Sequence, residues 1–120
     1  MPTSGNAPLA VVVDEEQLAT IEEMVGREGL QAIVDSLLSD LKQRLAAITA
    51  LGAERNVIER EAHALVSQAG NLGLMDLSLC SRQLTDACRS GADGDIPKLV
   101  QELFAAAERV VSWREAEGLA

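Results

Sequence analysis

The chain is predicted to be all-α: an antiparallel up-down four-helix bundle with a short extra N-terminal helix. Three observations predict it. Hydrophobic residues make up 48% of the 120 residues but aromatics only 2%, Phe104 and Trp113. The core must therefore be built from Leu, Ile, Val and Ala, and no alternating β-branched or aromatic runs call for a sheet. Apolar residues recur every three or four positions along most of the chain, the period of a helix face. The breaks between these runs are short, which sets consecutive long helices antiparallel. A chain of this length holds one domain with a real core and not two.

The elements follow in order. Residues 1–13 contain Pro2, Ser4, Gly5, Asn6 and Pro8, the composition of an extended or flexible N-terminal arm, with Val11 to Val13 able to pack down onto the domain. Asp14 followed by Gln17 resembles a capping box, and Glu15 and Glu16 suit the positive end of a helix dipole. Leu18, Ile21 and Val25 then make a short helix that stops at Gly26. A long helix is expected from about Glu28 to Leu51, on the rhythm Leu30, Ile33, Val34, Leu37, Leu38, Leu41, Leu45 and Ile48, with Gly52 ending it. The next runs from about Glu54 to Leu72, with Gly73 as its left-handed stop.

A further helix starts near Asp76 as N-cap and buries Leu77, Cys80, Leu84 and Cys88 before Ser90 and Gly91. After the turn Gly91–Gly94, Asp95 can cap the last helix, and Pro97 fits its first turn, where a missing N–H does no harm. That helix carries Ile96, Leu99, Val100, Leu103, Phe104, Ala107, Val110 and Val111, and is expected to fray near Trp113 to Glu117. The domain is thus drawn as 14–116, with 117–120 as a C-terminal tail.

Charge and composition exclude several functions. With 19 acidic and 10 basic residues the net charge is −9, which repels nucleic-acid phosphates and admits a partner with a basic surface. No run of 18 apolar residues exists to span a membrane. The first basic residue is Arg27, so the amino end lacks the positive start of a secretory signal, and the cytoplasm is the expected location. Cys80 and Cys88 lie two turns apart on one helix, too far for a disulfide, and read as reduced core residues.

The chemistry concentrates in Glu59–Gly73, which holds the only histidine, His63. Ile58, Ala62, Leu65, Ala69 and Leu72 form the apolar stripe of this helix. His63 lies at or beyond its edge, on a small, partly polar row with Glu59, Arg60, Val66, Ser67 and Gly70. One histidine is too few for zinc or haem ligation. A triad built on Ser67 lacks an oxyanion hole and a pocket, and no P-loop or kinase motif is present.

The stretch resembles the signature of histidine-containing phosphotransfer (HPt) domains, in which a histidine is followed by a hydrophobic residue two positions on, usually Lys-Gly next, then small residues and a closing Leu-Gly. His63, Leu65, Ala69, Gly70, Asn71, Leu72 and Gly73 fit that pattern. Val66 and Ser67 stand where lysine and glycine are usual. The resemblance extends over about 14–114, including the Gly-Arg-Glu-Gly break at residues 26–29. It implies a bundle with a short leading helix and a histidine projecting from the middle of one long helix.

It further implies a phosphocarrier without its own ATP site, passing a phosphoryl group between His63 and the aspartate of a response-regulator receiver domain. A hybrid histidine kinase is a second possible partner. No metal or cofactor of its own is expected, Mg²⁺ belonging to the partner receiver, and a monomer is expected. Phosphoryl transfer through histidine needs only a neutral imidazole nitrogen, exposed for in-line attack, with room for three oxygens. Gly70 and Ala64 give room, and Ser67 can donate a hydrogen bond. Arg60, one turn earlier, and Arg82 on the next helix are the candidates for the cation that Val66 cannot supply.

Glu59 can orient the imidazole or simply be solvated, and Gln68 and Gln83 can reach the rim. Ala64, Val66 and Gln68 are the expected partner-docking residues. The alternative is a phosphorylation-incompetent interaction module that docks a kinase or receiver without carrying phosphate, with the missing Lys-Gly as its main support. A plain helical dimerisation domain is the third reading.

Overall fold

The structure is a computed structural model that describes residues 13–119. Helix α1 (Glu15–Ile48) is followed by α2 (Arg55–Asn71), α3 (Met75–Ser90), a single 3₁₀ turn (Asp93–Asp95) and α4 (Ile96–Ala116). The helices close into a ring in which α1 packs on α2, α2 on α3, α3 on α4 and α4 back on α1. Cross-links give the directions. Arg44 meets Glu61 while Gln17 reaches Gly70 and Asn71, so α2 runs against α1. Glu59 meets Arg89 while Val66 meets Ser78, so α3 runs against α2.

Helix α1 is one continuous element broken once. Asp14 caps it by accepting from the Gln17 backbone N–H at 3.1 Å, and Gly26 is non-helical at φ 79°, ψ 172°. Residues 15–25 therefore form the short leading helix and 27–48 the first long one. Both glycines of the break are required. Gly26 occupies backbone space that side chains avoid, and a Cβ on Gly29 would lie 2.7 Å from Val25 Cβ. The helix stops at Ile48, short of the Leu51 expected, because Thr49 turns back and donates its backbone N–H and its hydroxyl to the Leu45 carbonyl.

The other ends refine the expectations. At the end of α2, Gly73 (φ 78°) donates to the Gly70 carbonyl and Leu74 to that of Ala69, a Schellman closure with Leu74 buried beneath it. Val13 bridges to Leu74 and packs on the core, whereas Val11 and Val12 lie outside the described residues. Asp76 is not the N-cap of α3: the helix starts at Met75, and the Asp76 carboxylate instead accepts from Arg109 of α4 at 3.0 Å. Asp95 precedes α4 but makes no side-chain cap bond.

The carboxy-terminal end departs most. Helix α4 does not fray at Trp113 but continues to Ala116, and 117–119 is no free tail. Gly118 takes φ 71°, Leu119 donates to the Arg114 carbonyl, and the Leu119 side chain is 1% exposed. Arg27 donates to the Glu117 carbonyl and Arg114 to Asp35, tying this end to α1. Burying one leucine is worth about 2 kcal/mol, enough to hold such a turn.

The core is the aliphatic stripe of each helix, including Leu30, Val34, Leu37, Leu41, Ala62, Leu65, Leu77, Leu84, Leu103 and Val110. Ser81 and Thr85 are buried among them, each hydroxyl donating at 2.8 Å to the carbonyl four residues back. Cys80 is half-buried and Cys88 buried, both free thiols, and burial pushes both pKa values up. Ile33, Phe104 and Val111, read as core from their period, remain exposed. No described helix is long and apolar enough to cross a membrane.

Candidate functional site

His63 sits in the middle of α2 and is exposed. Its position round the helix follows from its neighbours. Glu59, one turn earlier, accepts a 2.9 Å hydrogen bond from Arg89 Nε of α3. Val66, nearly one turn later, accepts a 2.9 Å bond at its carbonyl from Ser78 Oγ of α3. His63 shares that row, so it stands on the edge of α2 that looks along the seam with α3.

The same two contacts place Arg82. On α3 it lies one turn after Ser78 and two turns before Arg89, on the row that faces α2. With the helices antiparallel, this brings Arg82 level with His63 across the seam. Arg82 is exposed and has no hydrogen bond or ion pair among the described residues. Arg60 goes the other way. Its guanidinium lies 3.4 Å from Glu61, whose other carboxylate oxygen is held by Arg44 of α1 at 2.8 Å. Of the two candidate cations, the structure brings Arg82 to the histidine's side and draws Arg60 toward α1.

The remaining candidates separate in the same way. Ser67 is exposed and makes no hydrogen bond among the described residues, so its hydroxyl is available one turn beyond His63. Gly70 is half-buried with its carbonyl occupied by Gln17 Nε2 at 2.9 Å, and a Cβ there would lie 3.4 Å from Ser78 Oγ. Its smallness thus serves the close approach of α3 as much as any bound group. Glu59 is committed to Arg89 rather than to the imidazole. Val66 and Ala64 are half-buried.

Gln68 does not face the histidine. Its amide donates to Asp40, and its oxygen accepts from Arg44 Nε at 3.2 Å, both on α1. Gln83 lies beside Asp95, Lys98 and Glu102 at the α3–α4 side, away from the site. Sequence reasoning missed a groove of about 400 Å³ next to the histidine helix. Ile21, Met24 and Val25 of the leading helix form one wall and Ile33 and Leu37 the other, with Asp40, Gln68 and Asn71 at the rim. The signal was present in Ile33 and Val25, apolar residues at the margin of their stripes. Only the kink at Gly26 makes them face one another.

A sequence model described as Hpt domain matches residues 30–113, more than two thirds of the chain and including all of α2 and α3. The chain belongs to the Hpt domain family. Hpt domains are phosphotransfer carriers of two-component signalling rather than enzymes with ATP sites. The fold agrees. This Hpt domain is similar to the crystal structure of histidine-containing phosphotransfer protein B (HptB) from Pseudomonas aeruginosa PAO1, with a TM-score of 0.81 over 93% of this chain and 96% of that one, at 23% identity. A comparison with curated proteins gave no match. In this Hpt domain, His63 is the only histidine and lies within the matched residues.

Proposed function

We propose that His63 carries a phosphoryl group exchanged with the aspartate of a response-regulator receiver domain. The observation that carries this reading is the pairing of an exposed, unengaged His63 with an unengaged Arg82 across the α2–α3 seam, in a chain of this family. In the forward step a neutral imidazole nitrogen attacks the phosphorus of the aspartyl phosphate. The P–N bond forms as the P–O bond to aspartate breaks, and the carboxylate leaves with the bond's electron pair. The receiver supplies its Mg²⁺ and most transition-state stabilisation. Arg82 meets the charge of the transferred group, and Ser67 donates to one of its oxygens.

The receiver covers more than the histidine, since a specific interface takes about 800 Å² per partner. The apolar groove between the leading helix and α2, with Ala64 and Val66 nearer the histidine, supplies the docking surface, apolar within a polar rim. Gln68 shapes that rim through its bonds to Asp40 and Arg44 rather than as a free contact. A cytoplasmic location and a partner of the receiver or hybrid-kinase class belong to this reading.

Incubation with a phosphorylated receiver tests it. Acid-labile label appears on the wild-type chain and is absent from His63→Gln, whose helical circular dichroism is unchanged. Label that persists on the variant assigns the site elsewhere. The second reading, a docking module that takes no phosphate, rests on Val66 in place of the family's lysine, and predicts receiver binding without label on the wild type.

A further inference from the structure

A second apolar groove lies between α1 and α4, the seam opposite His63 and the loosest of the four. It has a volume of about 340 Å³, with Leu38 and Leu45 on one side and Phe104 and Val111 on the other. Phe104 is 37% exposed and Val111 45% exposed, although both lie on the apolar stripe of α4. Arg114 ties α4 to Asp35 at one end of this seam. Farther along, Lys42 on the α1 rim and Glu108 on the α4 rim have no hydrogen bond or ion pair among the described residues.

We propose that this groove is a homodimer interface, covered by a second copy of the chain with Lys42 of each copy paired to Glu108 of the other. The antiparallel register set by Arg114 and Asp35 places Lys42 and Glu108 level with one another, on opposite rims. A two-fold axis running along the groove, in the plane of contact, lays the second copy face to face on the first and carries each Lys42 over the opposing Glu108. The same rotation lays Phe104 of one copy over Leu45 of the other, and Val111 over Leu38. One operation therefore matches both the charges and the apolar residues, the self-complementarity that a two-fold contact requires. A groove open to an unrelated helix needs no such coincidence.

The dimer leaves both His63 residues facing outward, so it stands independently of the phosphotransfer reading. The apolar patch is small beside the roughly 800 Å² per partner of a standard interface, so association in the micromolar range is expected rather than an obligate dimer.

Sedimentation velocity on the full chain, from about 5 to about 200 µM, spans that range. A concentration-dependent passage from monomer to dimer is expected. Lys42→Glu places two like charges over each other and moves the midpoint to at least about ten-fold higher concentration. The charge-swapped Lys42→Glu/Glu108→Lys chain returns it toward the wild-type value. Phe104→Ser weakens the dimer while circular dichroism stays native. A wild type that is monomeric over the whole range overturns the proposal. So does a dimer indifferent to Phe104→Ser, or one that the charge swap fails to restore.

Discussion

Ser78 Oγ donates a 2.9 Å hydrogen bond to the carbonyl of Val66, the residue that stands where the family's lysine is usual. This bond carries no charge to the site, but it sets the register of α3 against α2. Through that register Arg82 of the next helix lies level with His63 across the seam. On the proposed reading, Arg82 supplies from α3 the cation that Val66 does not.

The first prediction follows from that placement. An exposed charge contact is worth at most about 1 kcal/mol, so losing it shifts an equilibrium by roughly five-fold and does not abolish transfer. Arg82→Ala is expected to move the ratio of phosphohistidine to phosphoaspartate toward the receiver by up to that factor. Arg60→Ala changes it less, because Glu61 and Arg44 hold Arg60 toward α1. Val66→Lys moves the ratio toward His63. The measurement is the equilibrium ratio for the four proteins against one phosphorylated receiver. A larger effect from Arg60→Ala than from Arg82→Ala refutes the assignment.

Val66 is half-buried beside the histidine row, with its side chain off the deep core. Val66→Glu should weaken receiver binding in a titration by about ten-fold, through an unpaired charge buried at the contact, with little change in melting temperature. A steep fall in melting temperature would mark the residue as core instead.

The break in α1 can be tested by stability. Gly26 holds φ 79°, ψ 172°, a conformation that costs an L-residue roughly 1–3 kcal/mol. Gly26→Ala should lower the unfolding free energy by that amount in urea titration. Gly29→Ala, which would place a Cβ 2.7 Å from Val25 Cβ, should also destabilise. Neutral outcomes at both positions would mean that the two parts of α1 join without this kink.

Leu119 is 1% exposed close to the carboxy-terminal end. Leu119→Ala should cost about 2–4 kcal/mol, the range for a truncated core leucine. The same substitution at the exposed Leu51 should be within about 0.5 kcal/mol of neutral. Equal effects at the two sites would contradict the burial of the end.

The thiols give a pH-dependent test. Desolvation is the largest cause raising the pKa of both Cys80 and Cys88. At pH 8 each therefore carries less thiolate than a free cysteine, and modification is slower, recovering only as pH rises through the elevated value. Cys80, half-buried, should react with a thiol reagent before the buried Cys88. Reaction of both at the rate of the unfolded chain would show that the α3 face is open.

The amino-acid sequence by itself determined the helices and most of their ends. The three-to-four spacing of Leu, Ile and Val is a local property, and so are the Asp14 cap and the left-handed stop at Gly73. It also marked His63 as a residue outside the core, since a stripe of Ile58, Ala62, Leu65 and Ala69 leaves it no place there. The period of a helix says which residues face inward, however, and not what each edge faces across a seam.

Only the tertiary structure decided that Arg82 lies level with His63 across the α2–α3 seam while Arg60 turns to Glu61, that Gln68 belongs to Asp40 and Arg44, and that Gln83 lies on the far side of α3. The same holds for Phe104 and Val111, periodic enough for a core but left open where α4 meets α1 loosely. It holds too for Leu119, which local pattern placed in a tail and which a turn at Gly118 returns to the core. Each of these depends on contacts between residues tens of positions apart, and a contact of that kind is set by how the helices pack, not by the residues on either side of it.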